Sequence, residues 1–242
     1  MDELEAKNIY NKIAESYHNN RSNNNFYNEM VEMPATLELL GEIKNKKVLD
    51  FGCGTGIYPK ILSERGAQVS GFDISEEMLK IAQENNPELD LRHGSGYNIP
   101  FSEKFDIVVA SLVMGYIEDW DDVFKEIRRV LKKDGYFVFS IGNPVAQCAR
   151  KKEINGKKIK VLGEEDYFEE KKIEYNWENG EKVQLYHKTY ETIIKTIIKQ
   201  KFEIIDYKDC PPIEESKEIF PEEYEKIRKY PHYCVWKIKK RT

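Results

Sequence analysis

The segment Val48-Leu49-Asp50-Phe51-Gly52-Cys53-Gly54-Thr55-Gly56 constrains this chain more than any other. An apolar run broken by Asp50 meets three glycines at alternate positions, and a helical pattern follows: a buried strand turning through a glycine-rich loop into a helix. In an open α/β sheet, a ligand sits outside the carboxyl end of such a strand, against backbone N–H groups that the glycines leave approachable. Asp73 ends the next strand, 21 residues after Gly52, where a carboxylate accepts both hydroxyls of a ribose. A ligand suited to these residues contains a nucleoside.

A dinucleotide fingerprint, G-x-G-x-x-G, would need a third glycine at position 57, which is Ile57. The spacing here is G-x-G-x-G, and Pro59 falls in the first turn of the following helix, a position that tolerates its missing N–H. The segment closely resembles the first motif of the class I methyltransferases that use S-adenosylmethionine, and Gly71-Phe72-Asp73-Ile74-Ser75 resembles their second. Weaker resemblances follow in order. Gly94 to Phe101 resembles the stretch after the third strand, with Ser95 where the family often has an acid against the adenine, and Phe105 to Ser111 resembles the fourth strand. Its continuation, Gly115 to Asp119, has Gly115 where many members carry histidine. The resemblance covers about residues 41–142 and 186–240.

It implies an α/β, Rossmann-like methyltransferase fold: a mostly parallel seven-stranded sheet whose last strand is antiparallel, with helices on both faces and a lid insertion. It also implies S-adenosylmethionine as cofactor, S-adenosylhomocysteine as product and no metal. The cofactor-binding places it suggests are Tyr10, Asp50, Gly52, Cys53, Gly54, Gly56, Asp73, Ile74, Met78, Ser95, Gly96 and Ser111.

The rest of the pattern predicts one domain in four parts: a helical cap over 1–40, an α/β core over 41–144, a lid insertion over 145–188 and the end of the core over 189–242. Short apolar runs place strands at 48–51, 68–72, 89–92, 105–110 and 136–141, with helices at about 58–65, 76–84 and 121–131. Asp119, Asp121 and Asp122 precede the last of these helices and suit a cap and first-turn charges better than a metal site. Beyond Asn143-Pro144 the alternation stops, and charged segments hold strand-like pieces at 158–162 and 173–177. A helix at 190–199 and strands at 202–207 and 233–238 resume the pattern, with a short helix near 221–229 between those two strands.

Composition narrows the partners. A net charge of −5 disfavours nucleic acid, and only eight of the 38 basic residues are arginine, the side chain best suited to phosphates. Cys53, Cys148, Cys210 and Cys234 form no C-x-x-C pair, which suggests free thiols and a cytoplasmic location. The acidic start Met1 to Glu5 does not read as a signal peptide, and the longest mainly apolar run, 107–117, is too short to span a membrane.

Methyl transfer must align a nucleophile, exclude water and, for O–H or N–H acceptors, remove one proton. Ser111-Leu112-Val113-Met114 stands where base-amine methylases carry Asn/Asp-Pro-Pro-aromatic, and Asp209-Cys210-Pro211-Pro212 has the reverse order of a pyrimidine C5 nucleophile. A small-molecule O or N acceptor is therefore expected between the cap and the insertion, among Tyr10, Tyr17, Tyr116, Tyr167, Phe168, Tyr175, Trp177 and Tyr186, some of which are ordinary core. His18, His93, His187 and His232 are the imidazoles. His187, just before the helix at 190, is expected near the rim of the cleft as base or orienting donor, with Tyr17 and His18 as the substitutes. Three alternatives stay open: an RNA methyltransferase using Arg150, Lys151, Lys152, Lys157, Lys158 and Lys160, a nicotinamide oxidoreductase, and a non-catalytic sensor. The oligomeric state is not legible in the sequence.

Overall fold

The computed structural model describes residues 3–22, 25–154, 157–161, 166–176 and 182–241. Helix α1 (Glu3–Ser22) comes first, and a π-helical turn (Asn28–Glu32) runs directly into α2 (Met33–Leu40). Then follow β1 (Lys47–Phe51), α3 (Ile57–Glu64), β2 (Gln68–Asp73), α4 (Glu76–Asn85), β3 (Asp90–His93) and β4 (Phe105–Ala110). A 3₁₀ turn (Met114–Tyr116) leads to α5 (Trp120–Val130) and β5 (Leu131–Gly142). The next elements are α6 (Pro144–Gln147), β6 (Arg150–Ile154), β7 (Lys157–Val161), β8 (Lys172–Asn176) and β9 (Lys182–Tyr186). The chain closes with α7 (Tyr190–Lys199), β10 (Phe202–Asp209), α8 (Ser216–Ile219), α9 (Pro221–Ile227) and β11 (Tyr233–Lys240).

Seven strands form one sheet in the order β10-β11-β5-β4-β1-β2-β3. Pairing is parallel from β5 to β3, whereas β11 runs antiparallel between β5 and β10. The chain winds outward through β2 and β3, then returns to place β4 on the other side of β1. That reversal opens a crevice at the carboxyl ends of β1 and β4, where ligands bind in open α/β sheets.

The period-two alternation of the strands loads both faces of the sheet. Leu49, Phe51, Val108 and Ala110 face a core completed by Phe124 and Ile127 of α5 and Ile193 and Ile197 of α7. Val48, Ile107 and Val109 face the opposite core with Leu39 and Leu40 of α2 and Tyr58 and Leu62 of α3. Helix starts follow local chemistry: Ser75 caps α4, Asp119 caps α5 and Thr189 caps α7, each side chain accepting a backbone N–H. Asp121, in the first turn of α5, pairs with Lys199 and Gln200 across to α7.

Two elements differ from the sequence expectation. Strand β5 starts at Leu131 rather than at 136, because Leu131 already pairs with Phe105 and the register then shifts before Tyr136 pairs with Ile107. The cap is two helical stretches joined by a π turn, and its second half packs into the core as firmly as the crossover helices do. Between Pro144 and Tyr186 the described residues build α6 and two antiparallel hairpins, β6–β7 and β8–β9. Leu162 and Trp177 lie outside the described residues, as do the side chains of Lys151, Lys157, Lys158, Lys160 and Tyr175. Among the described residues, no helix is long and apolar enough to cross a membrane.

Candidate cofactor site

The glycine turn after β1 is left-handed at each glycine, with φ of +74° at Gly52, +52° at Gly54 and +85° at Gly56. Their surroundings differ. A Cβ on Gly52 would stand 2.6 Å from Val113, and one on Gly56 would stand 2.4 Å from Asn86, so these two glycines serve close packing. At Gly54 a Cβ would meet the edge of the Tyr17 ring at 3.9 Å and nothing nearer, so this glycine opens toward the cleft. Asp73 faces the same turn, accepting from the backbone N–H of Gly54 and of Ser75, each at 2.9 Å. Burial raises its carboxyl above the usual range, against the lowering effect of these N–H groups.

Beside the turn lies a cavity of about 40 Å³ lined by Tyr17, Arg21, Asp50, Gly54, Thr55 and Ser111 among others. Its wall carries buried polar atoms with no partner: Asp50 Oδ2, Thr55 Oγ1 and Arg21 Nε. His18 Nδ1, next to Tyr17, is in the same condition. Unmet groups of this kind cost about 1–3 kcal/mol each and are retained where something else completes them. Asp50 is 1% exposed. Its carboxyl is pushed up to about 8, first by burial and then by the charges of Asp73 and Glu32. Burial, followed by those of Asp73 and Asp50, raises the Cys53 thiol as well, which makes this cysteine a packed wall rather than a nucleophile.

Helix α1 is strapped across the carboxyl ends of the strands. Asn11 Oδ1 accepts from Ser75 Oγ at 2.7 Å, Lys7 pairs with Glu76 at 2.6 Å, and Ser95 Oγ donates to Glu3. Met78 packs under Ile13 and Ala14. Tyr10 stands edge-on to Tyr116, 5.5 Å between ring centres, and edge-on to Tyr17 at 6.3 Å. Of the expected cofactor residues, Asp50, Gly52, Cys53, Gly54 and Ser111 line the cavity, and Asp73 bonds the Gly54 N–H beside it. Tyr10 lies on α1, Ser95 bonds to that helix, Met78 is buried beneath it, and the Ile74 carbonyl meets His93 Nε2 at 3.1 Å. Gly96 is different: a Cβ there would meet the Phe51 ring at 2.5 Å, so it serves packing beneath the crevice.

His187 is buried rather than open to solvent. It is 3% exposed, with Nε2 at 2.8 Å from the Tyr167 carbonyl and Nδ1 at 3.1 Å from Gln147 Oε1. The cause is the 166–171 segment, which folds back over it: the His187 N–H donates to Lys171 O, Tyr167 OH accepts from Tyr190 N, and Glu170 accepts from Thr189. The candidate aromatics divide accordingly. Tyr10, Tyr17 and Tyr116 meet at the crevice, Tyr186 donates to Glu118 at 2.8 Å, Tyr167 belongs to the His187 cluster, and Phe168 is 82% exposed.

Sequence reading missed Arg21, Glu32 and Leu112. Glu32 is fully buried and accepts from four hydroxyls, those of Thr36, Tyr58, Ser111 and Ser140. Its signal was a lone acid inside the apolar helical run Met30 to Ala35. Leu112, in the cavity wall, has φ of +57°, a strained region for leucine.

A family described as a methyltransferase domain matches residues 49–139. An uncharacterized protein of Haemophilus influenzae is 34% identical over 212 residues, 81% of this chain and 83% of its own length. A demethylmenaquinone methyltransferase of Listeria welshimeri is 32% identical over 136 residues, 52% of this chain and 58% of its own length. Among solved structures, an S-adenosylmethionine-dependent methyltransferase from Mesorhizobium loti superposes with a TM-score of 0.75 at 26% identity, over 86% of this chain and 97% of its own. The chain belongs to the class I S-adenosylmethionine-dependent methyltransferases. Its fold is that family's seven-stranded sheet and its cofactor is S-adenosylmethionine, so the nicotinamide alternative falls away.

Proposed function

We propose that the protein methylates an O or N nucleophile of a small molecule, with the cofactor's amino-acid end seated in the cavity beside Asp50. The observation that supports this most is the set of unpartnered buried atoms there: Arg21 Nε suits a carboxylate, and Asp50 Oδ2 suits an ammonium. Bound S-adenosylmethionine supplies a methyl group activated by a sulfonium. This chain's residues do the remaining work. Asp73 takes the ribose hydroxyls while its own geometry is kept by Gly54 and Ser75, and the uncrowded face of Gly54 admits the chain between sulfur and ribose. Tyr10, Tyr17 and Tyr116 wall off water and orient the acceptor for in-line attack. The acceptor's proton goes to the imidazole of His18, with Tyr17 in the cavity wall orienting the nucleophile, and His187 holds the insertion in place as a lid over the acceptor. The small-molecule class is supported by the demethylmenaquinone methyltransferases among the relatives. The four buried cysteines, none of them in a disulfide, suit a cytoplasmic setting.

Calorimetry with S-adenosylmethionine, S-adenosylhomocysteine and NAD tests the reading. Both sulfur compounds should bind and NAD should not. Arg21→Met should weaken them about tenfold or more, as expected for a lost charge-assisted hydrogen bond. Unchanged affinity in a folded Arg21→Met variant would place the amino-acid end elsewhere.

A further inference from the structure

Glu32 reaches the cofactor crevice from behind. The π-helical turn Asn28–Glu32 delivers it to the carboxyl ends of β4 and β5, and such single π turns are frequent at functional sites. Each of its carboxylate oxygens has two donors: Thr36 at 2.7 Å and Ser140 at 2.5 Å on Oε1, Tyr58 at 3.0 Å and Ser111 at 3.1 Å on Oε2. A carboxylate only accepts, and a hydroxyl has one proton to give. Tyr58 and Ser111 both line the cavity that holds Asp50, whereas Glu32 itself does not. With their protons committed to Glu32, these two oxygens have only lone pairs left for whatever occupies the cavity. Ser140 extends the same control to the backbone, accepting from Leu112 N at 2.9 Å and holding that residue in its left-handed conformation in the cavity wall.

We infer that Glu32 is a positioning residue that sets the hydrogen-bond polarity of the pocket: it turns the Tyr58 and Ser111 hydroxyls into acceptors, so that the wall beside Asp50 is selective for the ammonium group of the cofactor's amino-acid end. This rests on the placement of that end in the cavity. A rivet joining α2, α3, β4 and β5 would explain the four contacts but not why two of them fix the groups that face the ligand.

Glu32→Gln separates the two roles, because it keeps the size of the side chain yet brings an NH₂ that donates. Where that NH₂ takes the place of Oε2, Tyr58 or Ser111 must accept from it and turn its own proton elsewhere, opposite the ammonium. Where it takes the place of Oε1, Thr36 or Ser140 does so instead, and Ser111→Ala and Tyr58→Phe carry the test. Affinity for S-adenosylmethionine and S-adenosylhomocysteine should fall about tenfold or more. Affinity for 5′-methylthioadenosine, which has the nucleoside and thioether without the amino acid, should not change, and Glu32→Asp should recover part of the loss. Equal weakening of all three ligands would make Glu32 structural and overturn the proposal. So would unchanged affinity in folded Glu32→Gln, Ser111→Ala and Tyr58→Phe proteins alike, in which case a loss in Asp50→Asn would leave the placement of the cofactor standing. If wild-type protein bound 5′-methylthioadenosine as tightly as S-adenosylhomocysteine, the placement itself would fail, and this proposal with it. Should Glu32→Gln not fold, Ser111→Ala and Tyr58→Phe remove the wall acceptors directly, and selective loss of the two amino-acid-bearing ligands is again expected. Unchanged binding in both would overturn the inference.

Discussion

Two buried polar regions lie toward the carboxyl-end side of this sheet, and they are finished to different degrees. Around His187, both ring nitrogens stand within hydrogen-bond distance of protein oxygens, and the neighbouring backbone is tied to Lys171, Tyr167 and Glu170. Around the glycine turn, Asp50, Thr55 and Arg21 each keep a buried atom without a partner, facing a small cavity. A well-contacted network holds a segment in place, and unmet buried groups that face a cavity are where a ligand can supply what the chain withholds. A histidine after an insertion and an aspartate after a strand look equally functional in sequence. Their degree of completion separates them.

That contrast can be broken. The largest effect is expected from Asp73→Ala, which removes the proposed ribose acceptor and also strands the N–H groups of Gly54 and Ser75. Cofactor affinity should drop about a hundredfold or more, as two or more charge-assisted bonds are lost, and calorimetry reads it. Next is Asp50. The folded chain keeps on this carboxyl, at about 8, a proton that the unfolded chain gives up near pH 4. Stability should therefore fall as pH rises from about 4 to 8 and level off above. Cofactor affinity should climb over the same window, since a cation beside Asp50 favours the carboxylate over the opposing charges of Asp73 and Glu32. Asp50→Asn should flatten both profiles, measured as melting temperature and dissociation constant against pH.

His187→Ala sharpens the comparison from the other side. It should cost about 1–3 kcal/mol in urea denaturation, because buried Tyr167 O and Gln147 lose their partner, while cofactor affinity holds. A fall in affinity at unchanged stability would show that the finished region also serves the cofactor. The smallest effect is expected from Asn11→Ala, which loosens one strap of α1 at Ser75 and should speed cofactor association slightly in stopped-flow mixing.

Much of this architecture was legible because it is locally encoded. Three glycines at left-handed φ, the alternation that puts Val48 and Leu49 into opposite cores, and the caps Ser75 and Asp119 are each decided within a few residues. Asp73 was legible for the same reason, lying at the end of the next strand. Glu32 was not: its partners Tyr58, Ser111 and Ser140 are 26, 79 and 108 residues away and meet only when β4 and β5 stand side by side. Arg21 was hidden in a polar helix whose docking on the cleft no periodicity reveals. The burial of His187 was not legible either, because the residues that cover it, 166–171, lie some twenty positions away and carry mostly charged side chains.

The strap of α1 has a kinetic consequence. One helix touches the turn after β1 through Tyr17, the start of α4 through Asn11 and the acceptor side through the Tyr10–Tyr116 pair. On the proposed placement of the acceptor beside Tyr10 and Tyr116, donor and acceptor are both admitted past this helix, the donor deeper. Turnover should follow a compulsory order, with the methyl donor entering first and the spent thioether leaving last, so that the product competes with the donor and not with the acceptor. The pace of the cycle would then be set by how often a twenty-residue helix lets go.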